Sequence, residues 1–215
     1  MRICGRQTPK AKQVDFSVLM ALKDDKILVM NENYLRIYLD TIEKLKNSQR
    51  PQVKLTPELL SELKLEWEKA LSTGTDKALQ SETIKKILCI LDNSQTTTSE
   101  LNELFIKTLK EIKDHELIIY TLSASQKHVI ADGLKNGKMI SMEYFDILKN
   151  LLLSKNPEIK EWTLRTIETM GPLSLRFKKE VLAAKPGLLK IFNQHQKASS
   201  QLIEYLEKEW KRMLG

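Results

Sequence analysis

Asn156-Pro157-Glu158-Ile159-Lys160-Glu161-Trp162-Thr163-Leu164-Arg165-Thr166-Ile167-Glu168-Thr169-Met170-Gly171 reads as one complete helix with its start and stop written in. Asn156 can cap the first turn. Pro157 fits the position where its missing N–H costs nothing, and Gly171 can take the left-handed conformation that ends a helix. The stretch follows the apolar segment Ser141 to Ser154 across a very short turn, so the two read as a helix pair.

Working outward, the same 3.6-residue period recurs from Asp15 to the C-terminus. Leu35, Tyr38, Leu39, Ile42 and Leu45 predict one apolar face of a helix over about 31–47. Thr56-Pro57-Glu58 is a second cap-plus-proline start, with Leu60, Leu63, Trp67 and Leu71 on one side and Gly74 in the following turn. A helix beginning at Ser81-Glu82 carries Ile84, Ile87, Leu88 and Leu91, and Asp92-Asn93-Ser94 breaks it. The polar run Gln95 to Ser99 leads into a helix with Leu101, Leu104, Phe105 and Ile112 on one face. Between His115 and Gly137 the pattern supports either one long helix or two short ones. The helix opened by Ser141 is apolar on two adjacent sides, through Phe145, Leu148 and Leu152 and through Tyr144, Ile147 and Leu151, which predicts the most buried helix of the chain. The last helix, from about Ser199 to Leu214, has Leu202, Tyr205 and Leu206 on one side and is otherwise charged, as a terminal cap must be.

The starts Thr56, Thr98 and Ser141 lie 42 and 43 residues apart, each followed by an amphipathic helix, a short turn and a second helix. A single helix pair cannot bury its apolar face alone, so equal units stack on one another at a fixed period. Periods of about 40–47 residues belong to HEAT and armadillo arrays. Within the pair that ends at Gly171, Ile159-Lys160, Thr163 and Ile167 hold the places of the valine-arginine, alanine and leucine of a HEAT second helix. The chain thus resembles HEAT and armadillo-like proteins, best over residues 141–171. It departs from the pattern in Lys160, in Thr163 and in Ser154, which stands where such repeats often place an aspartate. The resemblance implies an all-α fold, a right-handed superhelix of about four to five helix pairs. It also implies a domain over residues 15–215 behind a basic flexible tail at 1–14.

Composition fits an all-α chain. Gly and Pro are scarce, at 7 and 6 of 215 residues, and no strand-forming clusters of Val, Thr and aromatics occur. No run of about 18 apolar residues exists to cross a membrane, and Met1 to Gln13 has no apolar core of a signal peptide, so cytosolic residence is expected, or nuclear in a eukaryote. Cys4 and Cys89 make no disulfide framework, and Cys89 lies in an apolar helix as a small hydrophobe. The net charge of +7 sits at the ends: residues 1–14 contribute +4, residues 172–197 contribute +5, and the remainder nets −2.

No catalytic constellation is present. His115, His128 and His195 lie in different elements without ligand spacing, the glycines form no phosphate-binding pattern, and no cofactor is expected. Glu66/Glu68, Glu103/Glu111 and Glu204/Glu207/Glu209 stand among lysines at the spacings of surface ion pairs. Trp67, Trp162 and Trp210 lie in or beside apolar stripes and are expected in the core. Some HEAT-like proteins are DNA glycosylases, but no residue here maps onto their machinery position by position. The expected function is a non-catalytic scaffold that binds a protein or peptide on the concave face lined by second helices, with Lys160, Glu161, Arg165 and Glu168 as exposed candidates. The alternative is a nucleic-acid-binding protein, with Arg176, Lys178, Lys179, Lys185 and Lys190 as a phosphate-contacting patch.

Overall fold

Capping chemistry sets the helix starts. In the computed structural model, which describes residues 33–72, 74–187 and 193–215, Asn156 Oδ1 accepts from the backbone N–H of Glu158 at 2.9 Å and of Ile159 at 3.3 Å. Pro157 opens the helix and Gly171 has φ +56°. Thr56 Oγ1 likewise accepts from Leu59 N–H at 3.3 Å, ahead of Pro57. The tail 1–14, Cys4 and Lys190 lie outside the described residues.

The described residues form helices α1 (Asn33–Lys46), α2 (Pro57–Ala70), α3 (Lys77–Asp92), α4 (Asn102–Glu111), α5 (His115–Ser125), α6 (Asp132–Lys135), α7 (Met142–Leu152), α8 (Pro157–Glu168), α9 (Lys178–Ala183) and α10 (Gln194–Leu214). A π turn, Gln126–Ala131, joins α5 to α6, and a 3₁₀ turn, Gly171–Phe177, leads into α9. The described residues contain no strand, only an isolated parallel bridge between Val53 and Ser94. Paired helices pack on each other, α2 on α3, α4 on α5 and α7 on α8. Second helices also pack in succession, α3 on α5, α5 on α8 and α8 on α10, with α1 against α3 at the start; α2, α4, α7 and α9 follow one another in the same way.

One continuous apolar cluster runs through these contacts, from Tyr34 to Trp210. Polar tips inside it find partners, as burial requires. Trp67 Nε1–H donates to Thr108 Oγ1 at 2.9 Å and its ring meets Phe105 edge-on at 5.0 Å. The Tyr144 hydroxyl and Ser125 Oγ are 2.6 Å apart, and Trp210 Nε1–H donates to Ser174 Oγ at 2.8 Å. Phe145 stacks on Phe177 at 5.4 Å, tying α7 to the 3₁₀ turn.

One open reading is resolved and several expectations are corrected. The segment His115 to Lys135 is one helical run, because the π turn keeps the backbone helical where Ser123-Ala124-Ser125 blurs the pattern. The most buried helix is α5 rather than α7: eight of its eleven residues are buried, against five of eleven in α7, since α5 meets α3, α4 and α8. Helix α3 begins at Lys77, a turn before Ser81, because Asp76 Oδ1 accepts from Ala78 and Leu79 N–H at 2.9 and 3.1 Å. Helix α10 begins at Gln194 rather than near Ser199, with Asn193 as its cap. Leu39, placed on the buried stripe of α1, is 60% exposed; α1 lies against both α2 and α3, which turns Tyr34, Thr41 and Ile42 inward.

Candidate functional site

The four α8 residues expected to meet a partner do not form a common exposed face. Glu161 is 7% exposed, and its carboxylate is consumed internally: Oε1 accepts from Arg165 Nε–H at 2.9 Å and from Nη2–H at 2.6 Å, and Oε2 lies 2.7 Å from His195 Nδ1. The cause is α10, whose first turn brings His195 onto α8. A carboxylate that accessible-looking spacing placed on a surface is therefore an inter-helix tie. Half-burial raises the Glu168 carboxyl above its ordinary range, with Arg165 opposing. Lys160 is partly exposed. Trp162 is only partly buried, with the Arg165 guanidinium 5.9 Å from its ring centre, so of the three tryptophans it alone is not sunk in the core.

The cations of the proposed phosphate patch are placed as follows. Arg176, Lys178 and Lys179 are exposed on the 3₁₀ turn and the start of α9, with Arg176 lying 5.2 Å from the Phe145 ring centre. Lys185 stands beyond the other end of α9, where its Nζ is 3.5 Å from Glu207 of α10. Of the carboxylates expected to form surface ion pairs, Glu66 meets Lys69 at 2.5 Å, Glu209 meets Arg212 at 2.5 Å and Glu207 meets Lys185 at 3.5 Å.

A polar cluster that sequence reading missed lies where the π turn meets the loop after α3. His128 is fully buried, its Nε2 3.0 Å from Leu91 O, while its Nδ1 accepts from Thr98 N–H at 3.2 Å. Those two backbone partners fix the neutral tautomer with the proton on Nε2. Burial first, and Lys127 as well, push its pKa down to about 4. Asp132, 3% exposed, accepts from Thr97 Oγ1 at 2.5 Å and Asn136 Nδ2 at 3.0 Å. Ser94 Oγ is 3.5 Å from His128 Nε2, but that nitrogen carries the proton, and Ser94 donates to Leu91 O at 2.7 Å. A serine facing a protonated ring nitrogen gains no base, so this Ser, His and Asp do not form a nucleophilic triad. The cluster instead pins the loop 94–99 to the π turn. Its sequence signal was weak, since Ser94 and Asp132 alone lie 38 positions apart.

Cys89 is buried, and burial with the nearby Asp92 pushes its thiol up to about 12, which leaves it an inert hydrophobe. Among the described residues no group of three His, Cys, Asp or Glu is placed to hold a metal ion. No described helix is long and apolar enough to cross a membrane. An open groove of about 640 Å³ lies between the start of α3 and the turn joining α4 to α5, with Ala78, Ile112 and Leu117 on its apolar side. Its rim mixes Lys77, Lys85 and Lys113 with Glu82, Glu111 and Asp114, which selects neither anion nor cation. The chain matches no protein-family model, no curated protein and no solved structure.

Proposed function

We propose that the protein is a non-catalytic binding module, a short HEAT-like array wound as a right-handed superhelix, that takes a protein or peptide on the side of its second helices. The observation that carries this reading is the packing order. Each second helix rests on the next, from α3 through α5 and α8 to α10, and the first helices follow one another in a parallel row. Such stacking leaves one long side of each row without a further layer, and extended surfaces of this kind serve recognition.

Burial of Glu161 moves the contact surface off the α8 and α10 seam. On α8 it centres on Trp162 and Arg165, the residue types that most often dominate binding energy. On α3 and α5 it continues through Glu82, Lys86 and Ser123, all incompletely buried. Lys85, paired with Glu116 and 3.8 Å from Asp114, stiffens the junction between those two helices.

Peptides selected from a random displayed library against the intact protein test the reading. Backbone amide shifts on adding a selected peptide are expected to cluster on 82–86, 120–127 and 158–165, and Trp162→Ala should weaken binding about tenfold or more with helicity unchanged. Selected peptides whose shifts map elsewhere, or that ignore Trp162→Ala, would sink this surface assignment.

A further inference from the structure

The helix-pair topology sends every loop that joins one pair to the next to the same edge of the molecule. Contacts between successive loops make that edge continuous. The 51–55 loop meets the 93–95 loop through the Val53 and Ser94 bridge, with Gln95 N–H donating to Val53 O at 2.8 Å. The 94–99 loop meets the α5 to α7 region through Thr97 and Asp132 at 2.5 Å and through Lys138 Nζ donating to Ser99 Oγ at 2.6 Å. The start of α7 meets the 3₁₀ turn, where Arg176 Nη1 lies 3.3 Å from Met142 Sδ.

Along this edge stand Arg50, Lys54, Lys135, Lys138, Lys178 and Lys179, all exposed and none in an ion pair with a described residue. The exposed acids there, Glu58, Asp92, Glu100, Glu103 and Glu143, sit at or next to helix ends, and Glu143 is already engaged by Lys110 at 2.6 Å, which leaves a small cationic excess. Like charges also crowd at one point: Arg50 adds to the burial that pushes the Lys127 ammonium down, with Asp92 opposing. The remaining loop residues include Ser48, Gln49, Gln52, Gln95, Thr96 and Asn136, side chains that donate to phosphate and sugar oxygens.

We infer that this edge binds the phosphate backbone of a nucleic-acid duplex, with the cations of successive loops contacting phosphates along it. Helices pack about 8–10 Å apart. Three such steps separate the Lys54 loop from the Lys178 turn, a span of about 25–30 Å, somewhat under one duplex turn of about 34–36 Å. The aromatic content of the edge favours a duplex over the other polyanions. Its loops hold only Phe177, which is buried, so there is no platform for stacking unpaired bases and no aromatic anchor for a bilayer interface. Leu134, Met139 and Met142 are exposed around the middle loop, and for that reason lipid enters the test. The inference goes beyond the second-helix surface and does not depend on it.

The test is fluorescence anisotropy of a labelled 20-base-pair duplex with the full chain at two salt concentrations. Lys54→Gln/Lys135→Gln/Lys178→Gln is compared with Lys77→Gln/Lys113→Gln/Lys155→Gln, which removes the same charge from the opposite loops. Circular dichroism checks that both retain their helicity. The edge variant is expected to lose about tenfold or more in affinity at low salt and to flatten the slope of log K against log salt by about two to three units, the control by little. Equal losses in both variants, no binding at low salt, or tighter binding to phosphatidylserine vesicles than to the duplex would each overturn the proposal. None of those results touches Trp162, so the peptide reading stands or falls separately.

Discussion

Helix α5 and helix α10 occupy opposite situations among the packed helices. Helix α5 meets α3, α4 and α8 and is buried nearly all round, Leu117, Leu122 and Ala124 being wholly inaccessible. Helix α10 rests on α8 and the 3₁₀ turn, burying Ser199, Ile203, Leu206 and Trp210 while Tyr205 and Met213 stay exposed. A helix in the middle of a stack loses its polar stripe because it has neighbours on several sides; one at the end keeps a single apolar face. The difference explains why α5 shows no clear stripe while α10 keeps one, although that stripe centres on Ile203, Leu206 and Trp210 and leaves the expected Tyr205 outside it.

The largest expected effect is at the centre. Leu122→Ala should cost about 2–5 kcal/mol, because the cavity it leaves has packed helices around it, and Leu148→Ala in α7 should fall in the same range. Tyr205→Ala on the outer side of α10 should stay within about 0.5 kcal/mol. Urea midpoints that fail to separate Leu122→Ala from Tyr205→Ala would erase the contrast between a central and a terminal helix.

Acid should strike the centre next. His128 is held neutral in the fold, and the unfolded chain takes up a proton near the ordinary value of 6.5, so the unfolded state binds more protons as pH falls below that value. Stability from this group is complete above pH 6.5 and is lost progressively down to about pH 4, by about 3 kcal/mol in all. Wild type and His128→Gln, compared by urea unfolding at pH 7 and pH 4, should therefore draw closer together in stability at the lower pH. A gap that stays constant would mean that His128 is not what links the π turn to acid sensitivity.

Smaller effects sharpen the description of the end. Asn156→Ala, which removes the acceptor of two backbone N–H groups at the start of α8, should cost about 1 kcal/mol in thermal or urea unfolding. A double-mutant cycle between Glu161→Gln and His195→Ala should show coupling of up to about 1 kcal/mol, reporting how firmly the first turn of α10 is held to α8. Lys160→Ala should change stability by less than about 0.5 kcal/mol.

Local chemistry was legible wherever a few adjacent residues decide the outcome. The starts at Thr56-Pro57 and Asn156-Pro157, the stop at Gly171 and the stripes of α2 and α3 follow from hydrogen bonding and side-chain spacing within one turn or two. What covers a given face was not legible. Glu161 has the spacing of an exposed charge and becomes buried only because α10 returns to α8 across 34 residues of chain. His128 reads as an isolated histidine until the loop after α3 supplies Leu91 O and Thr98 N–H.

The sequence by itself therefore determined the all-helical class, most helix ends and the core identity of Trp67, Leu148 and Cys89, because propensity, capping and amphipathic period act within a few residues of each position. Only the tertiary structure decided that α5 rather than α7 is the most buried helix, and that Glu161 is a buried tie between α8 and α10 rather than an exposed charge. Those outcomes depend on which helices become neighbours, and neighbourhood is set by packing across long sequence separations that no local pattern records.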